Sequence, residues 1–397
     1  MVIDPMAEAR SSRAGLPPHP SAPILVLSYW NLNHIAFGGG RRIEALLQLL
    51  GSRAWLIQPA PPHPRWRGEV FRPNLGRRKV GINWGLFHFF LPWVSDRVRR
   101  AVVREQPAVI VLTSIWAYVP FRRMEIRPPI VLDAHDVLAQ AIAERFGRSH
   151  PWTRMVEAWE RRVTHAADEI IACSETDAAV FRLRYGLPPD RVHVVPNGTD
   201  LDHAARAHAA LPPEVASALH EVPTVLFFMG KLDYQPNRVA LEFLSHTVLP
   251  ELERRMPGRF RLLVTGGPIP TGRWHPAIIW AGRVPDVAPY LERATVCLAP
   301  IFTGSGTRLK VLEYMAAAKP VIATAKAVEG LAVESGHHAL IVEPQEFAEA
   351  IVRVANDPEM ARRLGNAGRA LVASRYSWDA IRQQWRKILE PYTGPLA

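Results

Sequence analysis

The stretch Gly304-Ser305-Gly306-Thr307-Arg308-Leu309-Lys310-Val311-Leu312-Glu313-Tyr314-Met315-Ala316-Ala317-Ala318-Lys319-Pro320 reads as a glycine-opened turn, a charged helix over residues 307–317 and a proline-marked strand entry. Such a layout suits an anion. Gly304 and Gly306 let the backbone approach a ligand, the amides of Ser305, Gly306 and Thr307 lie at the helix start, and Arg308 and Lys310 add positive charge. A diphosphate fits this pattern. Glu313 follows at a distance where a carboxylate accepts hydrogen bonds from vicinal hydroxyls such as those of a ribose. A surface helix with solvated charges is the alternative for a bare Gly-Ser-Gly, and the length and order of the segment argue against it.

The segment resembles the nucleotide-sugar site of group 1 glycosyltransferases, the family 4 enzymes with a GT-B fold. There a glycine turn precedes a helix with a Glu near its middle and a Gly-Lys-Pro strand entry. The resemblance implies that Glu313 binds the donor ribose. Many members carry an earlier Glu eight positions before the helix Glu, and here Ser305 stands in its place. Ala318 likewise replaces the commoner Gly before Lys319-Pro320. A sub-branch with Gly-Thr-Arg-Leu-Lys in this place looks like the closer relative.

Working outward, 397 residues with 48% hydrophobic and 21% charged composition describe a globular chain of two domains. The expected fold class is α/β, two doubly wound Rossmann-like domains facing a central cleft. Runs of continuously apolar residues at 24–29, 54–57, 108–112, 130–132, 169–173 and 193–195 predict parallel strands covered on both faces. Helices are expected at 41–50, 96–104, 152–165 and 175–185. A second alternation predicts strands at 224–229, 261–265, 278–281, 295–299, 321–323 and 339–342, with helices at 237–244, 287–293, 307–317, 345–355, 358–374 and 378–389. The domains expected are a disordered leader over 1–22, an acceptor-side domain over 23–205, a nucleotide-sugar domain over 206–375, and a C-terminal helix over 376–397 returning to the first domain. The linker is expected in the Ala-rich, Pro-interrupted stretch between Asn197 and Pro223.

Lys231 opens the first loop of the second domain, at the carboxyl edge of the sheet where ligands bind in such folds. In relatives this loop gives two basic residues to the donor diphosphate. Lys231 matches the first, whereas Pro236-Asn237 occupies the second position, so Arg308 or Lys310 is expected to supply the missing charge. Arg283 and Val284 lie in a turn that frames the nucleobase in the resembling family, while Asp286 reads as a helix cap. In the first domain, the Gly38-Gly39-Gly40 turn offers the amides of Gly39 and Gly40 to a phosphate or to the transferred sugar; a tight turn without a ligand is the alternative. Val131-Leu132-Asp133-Ala134-His135-Asp136 is similar to a family run that places its His beside the donor sugar. His135 and Asp136 are therefore the candidate catalytic residues, with Asp133 and Asp136 also able to cap or orient.

No ligand set at metal-binding spacing accompanies these acids, so metal-independent chemistry is expected, with no cofactor beyond the nucleotide-sugar co-substrate. The resemblance implies retention of anomeric configuration and no protein nucleophile. Lys plus Arg total 48 against 37 Asp plus Glu, a formal charge of +11 that favours polyanionic partners. Cys173 and Cys297 lie in apolar runs and read as buried thiols, which points to a cytoplasmic compartment. Residues 1–23 lack the apolar core of a signal peptide, and the most apolar segment, 84–94, is too short to span a bilayer.

Arg77, Arg78, Lys79, Arg97, Arg99 and Arg100 flank Trp84, Leu86, Phe87, Phe89, Phe90 and Trp93 with only Asp96 as a counter-charge. Basic flanks around an aromatic patch suit an anionic bilayer, and a core helix with a solvated basic end is the competing reading. The function expected is transfer of a sugar from a nucleotide-diphosphate sugar to a glycan or lipid-linked acceptor, in polysaccharide or glycoconjugate biosynthesis, at the inner face of the membrane or in the cytoplasm. Two other classes remain in view. A hydrolysing nucleotide-sugar epimerase shares the architecture, and a basic nucleic-acid-binding protein fits the charge but has no recognisable nucleic-acid motif.

Overall fold

The computed structural model describes residues 22–33, 38–59, 61–71, 89–124, 127–202, 210–304 and 306–396. The apolar runs form two wholly parallel sheets. The first contains β1 (Ile24–Leu27), β2 (Ala54–Pro59), β3 (Gly68–Phe71), β4 (Val109–Leu112), β5 (Ile130–Ala134), β6 (Glu169–Ala172) and β7 (Val192–Val194), in the order β3-β2-β1-β4-β5-β6-β7. The second contains β8 (Thr224–Met229), β9 (Phe260–Thr265), β10 (Ile278–Gly282), β11 (Val296–Ala299), β12 (Val321–Ala323) and β13 (Leu340–Ile341), in the order β10-β9-β8-β11-β12-β13. Both orders reverse beside their first strand, between β1 and β4 and between β8 and β11. A doubly wound sheet opens its ligand crevice at that reversal, outside the carboxyl ends of the strands.

Burial on both faces explains the continuous apolar runs. Val26 of β1 stands level with Leu56 of β2 and Val111 of β4, and all three are at most 2% exposed. In the second sheet Phe227 and Phe228 are fully buried on consecutive positions, so they point to opposite faces and anchor a helical layer on each. Burying one such side chain is worth about 1.5–3 kcal/mol. A β-strand that also had to face water could not carry two adjacent phenylalanines at this depth.

The chain divides into two compact units, one comprising residues up to Val195 together with Arg382–Ala397 and the other Pro196–Ile381. The division thus falls at 195/196 and 381/382, whereas the sequence pattern predicts 205/206 and 375/376. Thr199 explains the shift: it pairs with Ser377 as an isolated parallel bridge, and its amide donates to the Tyr376 carbonyl at 2.8 Å. Gly198 packs so closely on Trp378 that a Cβ would lie 2.5 Å from the indole. The final helix, Trp378–Thr393, spans the second boundary. Its later residues belong to the first unit, with Tyr392 donating to Glu169 at 2.7 Å and the Thr393 carbonyl accepting from Arg53 at 2.9 Å.

Several elements differ from the sequence expectation. The three glycines at 38–40 form the opening turn of the helix Gly38–Leu50, not a turn preceding it. Strand β3 and the helices Leu138–Phe146, Pro213–Ala218 and Leu249–Arg255 have no counterpart in the predicted pattern. The helix expected over 307–317 runs Leu309–Ala316, because Arg308 adopts a non-helical backbone at its N-cap. Residues 1–21, 72–88, 203–209 and Ser305 lie outside the described residues, so Arg77, Arg78, Lys79, Trp84, Leu86, Phe87, part of the linker and all of the expected leader but Ala22 do too.

Candidate active site

In the second unit, two loops leave the sheet on either side of the reversal between β8 and β11. One carries Lys231 and leads to the helix Gln235–Phe243; the other carries Gly304, Gly306 and Arg308 and leads to the helix Leu309–Ala316. Gly304 (φ 108°) and Gly306 (φ 74°) occupy the left-handed region that L side chains avoid, so the loop requires glycine at both places. Gly304 also faces the first loop directly: a Cβ there would lie 3.2 Å from the Tyr234 hydroxyl and 3.5 Å from Pro236. Arg308 turns back and donates to the carbonyls of Gly304 and Gly306. Its guanidinium braces the loop.

Lys310 reaches across to the first loop. Its Nζ donates to Asn237 Oδ1 at 2.7 Å and lies 4.3 Å from the centroid of the Phe228 ring, while Asn237 Nδ2 donates to the Lys231 carbonyl at 3.0 Å. The ammonium thus reaches the place that Pro236-Asn237 leaves uncharged. Any Cβ at Gly230 would stand 2.9 Å from that Nζ. Burial, with Arg308 adding repulsion and Glu313 opposing both, lowers the Lys310 ammonium to about 7. Lys231, by contrast, is 67% exposed and pairs with Asp233 at 3.4 Å. The hydroxyl oxygens of Thr307 and Thr265 are buried without a hydrogen-bond partner among the described residues. Buried hydroxyls ordinarily find partners, so Thr307, at the mouth of the helix, is a place for a ligand oxygen.

Glu313 lies half-buried one turn beyond Lys310 on the same helix. Next to it, the fully buried Tyr314 ties that helix to the sheet, its hydroxyl accepting from the Met229 amide at the end of β8 at 2.9 Å. Arg283 is exposed and Val284 half-buried in the loop after β10, where Asp286 caps the next helix through the Ala288 amide at 2.9 Å.

In the first unit, His135 and Asp136 directly follow β5. His135 Nε2 lies 3.1 Å from Asp133 Oδ2, its ring centroid lies 5.2 Å from that of Trp30, and its Nδ1 is buried without a partner among the described residues. Gly39 abuts this group: a Cβ there would lie 2.9 Å from His135 Nδ1 and 2.6 Å from the Trp30 ring. The glycine helix start and the His135 loop therefore meet. Burial raises the Asp136 carboxyl above the usual range, against a smaller opposite pull from His135.

Arg42 and Glu160 are parts of this site that sequence reasoning misses. Arg42 is fully buried and binds Asp133 through Nε and Nη2, while its Nη1 donates to the Val195 carbonyl at 2.8 Å. Burial opposes ionisation of Asp133, yet Arg42 and His135 hold its carboxyl down at about 2. Glu160, 1% exposed, accepts from the amides of Leu138 and Ala139 and from the Tyr185 hydroxyl at 2.6 Å, and burial raises it to about 7. It caps the helix that begins two residues after Asp136. Neither role has a local sequence signal, because the partners are distant in the chain.

Cys173 and Cys297 are buried thiols, and burial pushes Cys173 up to about 12. Among the described residues, no cluster of His, Cys, Asp or Glu is placed to hold a metal ion, and no helix is long and apolar enough to cross a membrane. Of the aromatic segment, Phe89 is buried while Phe90 and Trp93 are 41% and 44% exposed; Arg97 pairs with Glu69 and Arg99 with Asp96.

Two parallel sheets of this order, each reversing beside its first strand, define the GT-B class. Solved structures agree. Sucrose-phosphate synthase from Thermosynechococcus elongatus superposes with a TM-score of 0.69 at 22% identity, covering 93% of this chain and 98% of that one. Anabaena HepE in complex with UDP and glucose gives a TM-score of 0.68 at 16% identity over 93% and 99% of the two chains. The chain belongs to the group 1, family 4 glycosyltransferases: residues 223–357 match Glycosyl transferases group 1 and residues 38–203 match Glycosyltransferase Family 4. It is 30% identical over 249 residues to a D-inositol 3-phosphate glycosyltransferase of Streptomyces bingchenggensis, a match covering 55% of this chain and 52% of that protein. The chain thus spans about half the length of that relative. A D-inositol 3-phosphate glycosyltransferase of Nocardia farcinica is 28% identical over 90% of this chain and 81% of its own.

Proposed function

We propose that this protein transfers a sugar from a nucleoside diphosphate sugar to a glycan or lipid-linked acceptor with retention of anomeric configuration. The observation that carries this reading is the Lys310 ammonium held 2.7 Å from Asn237 Oδ1, beside two obligatory glycines and the buried Thr307 hydroxyl. Lys310, Lys231, Thr307 and the amides of the Gly304–Gly306 loop bind the diphosphate. Glu313 accepts from the ribose hydroxyls, and Arg283 and Val284 frame the base. His135, with Gly39, Gly40 and Asp136, contacts the sugar.

The bond from the sugar's anomeric carbon to the diphosphate oxygen breaks as the acceptor oxygen bonds to the same face of that carbon. The acceptor proton passes to the departing diphosphate, so no protein nucleophile is needed. Positive charge from Lys310 stabilises the leaving group where its charge develops, the role a divalent cation fills elsewhere. The UDP complexes of HepE support a uridine nucleotide as the first donor to try. We place the enzyme in polysaccharide or glycoconjugate synthesis, in the cytoplasm and peripheral to the inner membrane face.

A second acceptor reading has its own support: the relatives include D-inositol 3-phosphate glycosyltransferases and an alpha-maltose-1-phosphate synthase, names that point to small phosphorylated acceptors. Thermal-shift screening of nucleotide sugars, followed by product analysis with and without acceptor, tests the function. Transfer only with acceptor supports it; release of an epimerised sugar without acceptor makes the protein a hydrolysing epimerase. Sedimentation with anionic and neutral liposomes then separates the acceptors. Replacing Arg77, Arg78 and Lys79 by Ser is expected to weaken anionic-liposome binding more than tenfold, at about 1 kcal/mol per charge. Absence of liposome binding by the unaltered protein favours the soluble acceptor.

A further inference from the structure

Arg42 lies on the buried side of the helix Gly38–Leu50, three residues after Gly39, and both it and Asp133 are 0% exposed. A guanidinium and a carboxylate at this depth are costly unless their donors and lone pairs are used. Here Arg42 Nε lies 2.9 Å from both Asp133 oxygens, Nη2 lies 2.7 Å from Oδ1, and Nη1 reaches the Val195 carbonyl at 2.8 Å. The Trp385 ring, on the final helix, has its centroid 5.4 Å from the guanidinium carbon. On the other side, Asp133 Oδ2 meets His135 Nε2 at 3.1 Å. An ionised carboxylate only accepts, so that ring nitrogen carries a proton, and in the neutral form of the ring Nδ1 is bare. That Nδ1 is buried without a partner among the described residues, and it faces Gly39 at the helix start.

We infer that Arg42 is a positioning residue of the transferase site: through Asp133 it fixes His135 in the Nε2–H tautomer, so that Nδ1 accepts a hydrogen bond from a hydroxyl of the bound sugar or acceptor. The stack Trp385, Arg42, Asp133, His135 runs from the last helix to the carboxyl end of β5 without a gap. Its specificity is for a hydroxyl donor, because a carbonyl or phosphate oxygen placed against a bare imidazole nitrogen gains no hydrogen bond. Asp133 orients the ring as the outer carboxylate does for other functional histidines.

The inference rests on the proposed transferase site, and the experiment separates the two. Full-length protein labelled with 15N-histidine is studied by long-range proton–nitrogen correlation at about pH 8.5, where an ordinary imidazole is neutral. His135→Gln assigns the signal. The expected result is a single His135 tautomer with the proton on Nε2. In Arg42→Met the proton is expected to distribute over both nitrogens, with kcat lower by about tenfold or more and donor KM changed less than about threefold. A proton on Nδ1 in the unaltered protein, or an unchanged tautomer in Arg42→Met, overturns the inference. Should Arg42→Met not fold, Arg42→Lys replaces it, since a point charge cannot bind both carboxylate oxygens in plane, and the same readouts apply. The tautomer is read without substrate, so a fixed tautomer with no transfer from any donor rejects the proposed function and leaves the positioning intact.

Discussion

The candidate binding elements of the two units are built on opposite principles. In the first unit, charge is buried and closely paired: Arg42 and Asp133 are 0% exposed and the ring of His135 is held from one side. In the second, the ligand-facing parts are two glycine-bearing loops whose lysines differ in depth and whose Thr307 hydroxyl lacks a partner among the described residues. The buried ion pair of the first set is satisfied within the chain; the second set leaves a hydroxyl unpaired among the described residues, and by the proposed function a ligand would complete it. Stability and binding should therefore respond to mutation in opposite ways in the two units.

The largest expected effect tests that contrast. Asp133→Ala leaves the Arg42 guanidinium buried without its carboxylate, and should lower stability by about 3–5 kcal/mol in urea or guanidinium unfolding. Lys310→Met removes a half-buried ammonium bonded to Asn237 and should leave stability unchanged or raised. Equal losses in both variants would erase the distinction between a finished and an unfinished set.

Glu313→Gln comes next. If Glu313 binds the ribose as proposed, its charge-assisted bonds to the hydroxyls are worth roughly 1.5–3 kcal/mol each, so transfer at subsaturating donor should fall by about a hundredfold with the unfolding curve unmoved. Full activity would remove Glu313 from the ribose. The segment that carries Glu313 is legible in the sequence because its signal is local: glycine turn, charges and carboxylate lie within ten positions, and the helix over Leu309–Ala316 forms where that pattern predicts one. The sequence leaves Arg308 and Lys310 as equal candidates for the charge missing from the first loop, and geometry separates them: Lys310 reaches Asn237, whereas Arg308 is bound to the carbonyls of its own loop.

Arg42 is not readable, and the reason is physical. Its partners Asp133 and Val195 stand 91 and 153 positions away. On a helix with Ile43, Leu46, Leu47 and Leu50 along one face, an arginine reads as solvated unless the tertiary pairing is known. The same limit hides Glu160, whose capped amides belong to a helix with no acidic or hydroxyl cap of its own. Strand β3 escapes notice because it is four residues long and begins at Gly68, whose Cβ would meet the Leu56 carbonyl at 1.7 Å. The alternation of apolar and helical runs announces the parallel sheets in both units, whereas the unit boundary depends on the Thr199–Ser377 bridge, which joins distant segments.

A smaller effect separates the two lysines. Lys310→Ala should weaken nucleoside diphosphate binding by about tenfold or more, since it deletes a charge-assisted bond in a partly desolvated place. Lys231→Ala should cost only about two- to fivefold, because Lys231 is 67% exposed and already paired with Asp233. Added salt should shrink the Lys231 loss and leave most of the Lys310 loss. Calorimetry with UDP at low and high salt reads both, and unchanged affinity in the two variants would dismantle the diphosphate site.

The last effect is a proton. Lys310 sits at about 7 in the free protein, well below its ordinary value, with burial as the main cause. Between about pH 7 and the ordinary lysine value near 10.4, the unfolded chain keeps a proton that the folded chain has released, so this group makes stability rise with pH across that window. A diphosphate reverses the balance locally: its negative charge favours the ammonium, so the bound state takes the proton back. Binding near pH 8 should therefore consume protons, and the calorimetric enthalpy should change with the ionisation enthalpy of the buffer, with a slope of up to about one proton that fades below about pH 6. Affinity should decline by up to about tenfold per pH unit above 7, until the pH reaches the raised value in the complex. In Lys310→Ala the buffer dependence should vanish, while in Lys231→Ala it should persist. A slope of the same size in Lys310→Ala would place the proton on another group and leave Lys310 a structural partner of Asn237.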